Sequence, residues 1–347
     1  MTPRERWLAV LNKEQPDRVP TDYWGTSEIT SRLLKDLNCA NREELYRKLN
    51  IDAQRSFDPP YKKALLPDSN EWGIKFAMVD YGTGAYREAV GHPLAQMQTV
   101  AEIDAYAWPK VEDFDYEEMR RQIEADDGYR ARSAGIYEPF LLYCYMRGLE
   151  QSMEDLLVNQ EIAEAILQHI YDYHYERNRR IFEAGQGRID LTYVAEDLAG
   201  QTSPLFSLEV YHKFLRSRQK SMADLARSYG IHVFYHTDGA ARVFIPDLVN
   251  VVGIEMLNPL QWRCPGMELR GLVKDFGHRV GFHGGIDNQQ TLPFGTVEDV
   301  VKEVEEVATI MKDARWICAP CHNIQAVTPT ANVVAMYETI RKAGKKR

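Results

Sequence analysis

From about residue 131 onward, short apolar runs alternate with helical patterns of roughly 15–25 residues, the rhythm of parallel β-α-β units. The runs predict strands at 131–136, 189–195, 231–235, 254–257, 280–283 and 315–319. Helices are predicted near 152–184, 207–229, 241–251, 267–276, 296–313 and 329–343. Earlier, Arg18-Val19-Pro20-Thr21-Asp22-Tyr23-Trp24-Gly25 reads as an extended entry, and 51–57 supplies one more strand. Eight strands predict an α/β fold, a (β/α)8 TIM barrel. Before it, Thr2-Pro3 signals a helix start, with Trp7, Leu8 and Leu11 on the apolar face, and further helices fit 27–37, 42–49 and 116–125. Between Trp72 and Val100, four glycines punctuate aromatic and β-branched residues, which predicts a hairpin rather than a helix. The expected organisation is one domain, 1–347, with an N-terminal helical segment and an insertion around 72–115. A doubly wound open sheet competes, but the chain has no Gly-x-Gly-x-x-Gly to favour it.

Composition narrows the classes. A 347-residue chain that is 44% hydrophobic can bury a large core. Its net charge of −9 opposes nucleic-acid binding, and Lys345-Lys346-Arg347 is the one basic block, read as a solvated end. No apolar run is long enough for a membrane span, and the charged Met1–Arg6 start is unlike a signal peptide, so a cytoplasmic protein is expected. Five scattered cysteines predict reduced thiols.

A barrel places its working groups where strands end. Collecting those positions gives Asp22, Tyr23, Trp24, Asp58, Glu138, Glu196, Asp197, His236, Asp238, Asn258, Gln261, Asp287 and His322. His236 and Asp238, two apart, point the same way from an extended chain, to share a metal or to orient the imidazole; alternatively Asp238-Gly239 begins a turn and His236 caps the strand. Glu196 and Asp197 are adjacent and face opposite ways, so one enters the pocket while the other holds a loop. Cys318-Ala319-Pro320-Cys321-His322 can offer thiolate to zinc, but no second pair exists for a structural zinc site. Gly284-Gly285-Ile286-Asp287 allows close backbone approach to a ligand. His283 and His278 read as structural or surface residues.

In order along the chain stand Arg4-Glu5-Arg6, Asp17-Arg18-Val19-Pro20, Glu196-Asp197-Leu198-Ala199-Gly200-Gln201, His236-Thr237-Asp238-Gly239, Asn258-Pro259-Leu260-Gln261, Gly284-Gly285-Ile286-Asp287 and Pro320-Cys321-His322-Asn323-Ile324-Gln325. This succession, closing on Thr328-Pro329 and Asn332, resembles the uroporphyrinogen decarboxylase superfamily over nearly the whole chain. The resemblance implies a (β/α)8 barrel, often dimeric, with one of two activities. One is cofactor-free decarboxylation of tetrapyrrole acetates; the other is zinc-dependent methyl transfer with corrinoid proteins.

The decarboxylase branch carries arginines at the first strand end to neutralise its polycarboxylate, where this chain reads Pro20-Thr21-Asp22-Tyr23-Trp24-Gly25. Asp58 matches the branch's pyrrole-binding aspartate and His322 its late histidine, which keeps a decarboxylase as the alternative. The methyltransferase branch binds zinc through His-x-Cys and a distant cysteine, and here the matching positions are His236, Asp238 and Cys321 or His322. A harder ligand set suits an oxygen leaving group. The expectation is therefore transfer of a methyl group from a small methylated substrate, a methoxy compound among the candidates, to a corrinoid on a partner protein. Glu138, Asp197 and Gln261 are then expected to orient or protonate the leaving group, with Tyr23 and Trp24 as an apolar wall and Asn258 and Asp287 at the substrate. Segment 72–115 is the expected docking rim.

Overall fold

Thr2 caps the helix Pro3–Leu11 by accepting the Glu5 N–H, while Glu5 reaches back to the Thr2 N–H. The helix turns Trp7, Val10 and Leu11 onto Ala131, Leu191, Phe234, Met256 and Ile317, plugging the end of a curled sheet where its strands begin. The computed structural model describes residues 1–82 and 84–343, so the basic run at 345–347 lies outside the described residues.

The strands are β1 (Arg55–Phe57), β2 (Lys75–Asp80), β3 (Ala85–Gly91), β4 (Arg132–Tyr137), β5 (Leu191–Ala195), β6 (His232–His236), β7 (Met256–Asn258), β8 (Gly281–Ile286) and β9 (Trp316–Pro320). Seven form a parallel sheet in the order β1-β4-β5-β6-β7-β8-β9. Their buried, apolar sequences are those of strands covered on both faces. β2 and β3 pair antiparallel as the predicted hairpin.

The eighth expected strand is extended without a full ladder. Thr21 and Gly25 bridge to Cys318 and Ile324 beyond one sheet edge. Toward the other edge, the Asp52 N–H donates to the Thr21 carbonyl, and the Thr21 N–H goes to the Asp52 carboxylate. Pro20 has no N–H to extend the pairing. The fold is thus TIM-barrel-like, with seven strands and this bridging segment.

Two predicted helices are more broken than their periodicity implied. The pattern at 152–184 divides at Asn159 into Leu149–Val158 and Gln160–Gly185. Asn159 donates its side-chain amide back to Asp155, a local bond that competes with helix continuation. The pattern at 241–251 becomes a short turn, Ile245–Asp247, and a π-turn, Leu248–Val252. No described helix is long and apolar enough to cross a membrane.

Candidate active site

β6 ends on His236, level with Asn258 of β7. The chain then turns sharply at Gly239, where φ is 76° and a Cβ would meet the Gly200 carbonyl at 2.3 Å. Only glycine fits that approach. The Ala240 N–H binds the same carbonyl at 2.9 Å, and the Gly239 N–H binds Gln261 Oε1 at 2.7 Å. These contacts lock the loop after β5 against the loop after β6, which brings their acids together.

Alternation separates the adjacent acids of the β5 loop. Glu196 is fully buried and accepts from the Phe140 and Leu141 N–H groups at the start of helix Pro139–Arg147. Asp197 turns the other way, its Oδ1 3.8 Å from His236 Nε2. Asp238 Oδ2 is 3.7 Å from the same nitrogen and 3.6 Å from His322 Nε2. One ligand atom from each of Asp197, His236 and Asp238 lies within 4.8 Å of the others. Among the described residues, Asp238 Oδ1 is buried without a hydrogen-bond partner.

Charge crowding follows from this packing. Burial pushes the Asp197 carboxyl upward, and the Asp238 charge adds to it. Burial alone would lower His236, but the hydrogen bond and charge of Asp238 carry the imidazole up to about 9. Glu138, just beyond β4, is raised to about 7 by burial; His236 opposes the shift while Asp197 and Asp238 reinforce it.

The other sequence candidates are placed differently. Trp24 stacks on His236 at 5.6 Å and donates its indole N–H to Asp22. Tyr23 points away from that wall, bonding Thr30 and packing on Tyr46, because neighbours on an extended chain face opposite sides. Asp22 is itself buried and so cannot repel a substrate as an exposed acid would. Asn258 Oδ1 accepts from His236 Nδ1 at 2.7 Å. Asp287 accepts the Gln289, Gln290 and Thr291 N–H groups and pairs with Arg263, which occupies both its oxygens. Asp58 is exposed and pairs with Arg177 of helix Gln160–Gly185, outside this group. Cys321 is also outside it: the thiol donates to the Leu260 carbonyl at 2.8 Å, and burial raises it well above its ordinary range. His322 stands at the rim through Asp238.

Asp238, His322 and Gln261 open on a cavity of about 430 Å³ that Gln201, Asn288, Gln289 and Gln325 also line. Asp197 faces a second cavity of about 350 Å³, whose lining includes Glu88 and His92 of the hairpin arm and Leu141. Gln261 was an expected site residue, whereas Gln201, Gln289 and Gln325 were not. Their available signal was position, since Gln201 and Gln289 each follow a strand end within a few residues.

A family profile described as uroporphyrinogen decarboxylase (URO-D) matches residues 73–343, most of the chain. The chain belongs to the uroporphyrinogen decarboxylase family. Among solved structures, this family member is similar to a methyltransferase from Methanosarcina mazei, with 19% identity, 99% coverage of both chains and a TM-score of 0.71, which establishes a shared fold. A B12-independent methionine synthase from Shewanella sp. W3-18-1 is more distant, at 11% identity and a TM-score of 0.44 over 94% of this chain and 98% of that one. No curated protein sequence matches this chain. The family is one of enzymes, and its C-terminal strand ends here carry the His236 cluster.

Proposed function

We propose that this protein is a metal-dependent methyltransferase that moves a methyl group from a small methylated substrate, of methoxy type, to a corrinoid carried by a partner protein. In this reading segment 20–25 is the eighth stave of the barrel. The observation that carries the proposal is the convergence of Asp197, His236 and Asp238, with an unpartnered buried oxygen on Asp238. A buried acceptor without a donor calls for a cation. The donor set fits: two carboxylates and an imidazole are acceptable zinc ligands, and His322 adjoins Asp238. When bound, the ion would supply Lewis-acid activation of an oxygen leaving group.

The chain's own residues do the rest. Burial raises the Glu138 carboxyl to about 7, so near neutral pH a protonated fraction offers its O–H to the departing oxygen. Gln261 fixes the Asp238 loop through the Gly239 N–H and orients the amide-rich wall through Gln201. That wall of glutamine and asparagine suits a small, neutral, polar substrate and offers no guanidinium to a polycarboxylate. The hairpin exposes Met78, Val79 and Val90, an apolar edge on which the corrinoid carrier would dock. Decarboxylation remains the alternative, but it needs Asp58 at the substrate, and Asp58 is paired with Arg177.

The test is metal content by mass spectrometry of wild type beside His236→Ala and Asp238→Ala, followed by methyl transfer from methoxy compounds to free cobalamin chemically reduced to the Co(I) state. About one zinc per chain is expected in wild type and little in either variant. Folded wild type that takes up no divalent metal overturns the proposal.

A further inference from the structure

Behind His236 a line of polar side chains crosses the buried interior. His236 Nδ1 meets Asn258 Oδ1 at 2.7 Å; Asn258 Nδ2 meets His283 Nδ1 at 2.5 Å; His283 Nε2 meets Asp22 Oδ2 at 3.0 Å. Asn258 and His283 are wholly buried, and Asp22 is 1% exposed. The four residues come from four elements, β6, β7, β8 and segment 20–25, so the fold and not local sequence assembles the line. Resting on the metal reading above, we infer that Asp22, His283 and Asn258 are positioning residues that fix His236 with Nε2 toward Asp197 and Asp238.

The direction of the line follows from its far end. Asp22 receives three donors: the Tyr23 N–H, the Trp24 indole N–H and His283 Nε2. A carboxylate accepts only, so His283 Nε2 carries the proton it gives. His283 Nδ1 is then the acceptor for the Asn258 amide N–H, which turns Asn258 Oδ1 to His236. His236 Nδ1 must carry a hydrogen to donate there, which leaves Nε2 as the nitrogen that can offer a lone pair to a metal. Trp24 closes the arrangement, stacking on the His236 ring while tied to Asp22.

A line that merely satisfies buried groups would tolerate reversal; a positioning line would not. His283→Gln can keep the direction, with its amide N–H to Asp22 and its oxygen toward Asn258, whereas His283→Leu removes both contacts. Asp22→Asn keeps the size but admits the reversed direction, and covers the case in which His283→Leu does not fold. Zinc affinity is measured for each by competition with a chromogenic chelator, alongside the ¹H–¹⁵N spectrum of histidine-labelled, metal-free protein. The expected result is about 10–100-fold weaker zinc binding for His283→Leu and Asp22→Asn, with His283→Gln close to wild type. Equal losses for His283→Gln and His283→Leu, or none for His283→Leu and Asp22→Asn, overturn the inference. If wild type binds no zinc, the metal reading fails separately. The positioning claim is then decided by whether the protected His236 Nδ1 proton persists in wild type and His283→Gln and is lost in His283→Leu.

Discussion

Among single residues, Glu138 makes the sharpest claim because its environment opposes its charge. Burial holds its carboxyl near 7 in the folded chain against about 4.5 when unfolded. The folded state therefore binds this proton more tightly, and its contribution to stability is complete below about pH 4.5 and lost as pH rises toward about 7. In metal-free protein, Glu138→Gln should flatten that slope and, above pH 7, be more stable than wild type by up to about 3 kcal/mol. Urea unfolding at pH 4.5, 6 and 8 measures it; a slope unchanged by the substitution shows that the site does not raise this carboxyl. The same substitution removes the proton proposed for the leaving oxygen, so a more stable protein should turn over more slowly. Asp58 and Asp287 show why residue type alone did not separate active from structural acids. Both end strands, as Asp197 and Asp238 do, yet Asp58 meets an arginine 119 positions away and Asp287 the N–H groups of its own turn.

At the scale of elements, helix Pro139–Arg147 begins with Glu138 at its cap position but without a side-chain cap of its own. Glu196 supplies it from across the β4–β5 boundary, accepting from Phe140 and Leu141. Helix starts left without acceptors are costly when buried. Glu196→Ala should destabilise the protein by about 1–3 kcal/mol, and Glu196→Gln by less, because the amide still offers an oxygen. Comparing both by thermal unfolding checks this; equal losses would point to volume rather than capping. The strands, the hairpin and several helix starts were legible because period, capping residues and glycine spacing are local signals. The break at Asn159 and the π-turn at Leu248–Val252 were not, since each depends on a competing bond or on packing that periodicity does not encode. For the same reason the acids at the strand ends could be found, while Cys321 could not be separated from His322. Only the Leu260 carbonyl, 61 residues away, shows where its thiol goes.

For the whole molecule, one buried carboxylate reinforces the backbone bridges that join the two edges of the curled sheet. Asp52 binds the Thr21 N–H at 3.0 Å, Arg6 at 3.0 Å and Arg18 at 2.7 Å, and is 1% exposed. It therefore ties the N-terminal helix, segment 20–25 and the approach to β1 together. Removing it takes the carboxylate partner from the mostly buried Arg18 guanidinium and leaves Arg6 with Asp17 alone, which costs about 3–5 kcal/mol. Asp52→Ala should lower the melting temperature by about 5–10 °C, whereas Asp52→Asn keeps an acceptor for Thr21 and should fall between. Because Asp22 and Trp24 follow Thr21 on the same segment, loosening it should also release the ring stacked on His236. A change in the near-ultraviolet circular dichroism of tryptophan should accompany the loss, below the melting transition. Asp52→Ala with an unaltered spectrum and midpoint would mean that the sheet edges hold together without this carboxylate. The site would then depend only on the neighbours that His236 touches, and not on the closure of the fold around it.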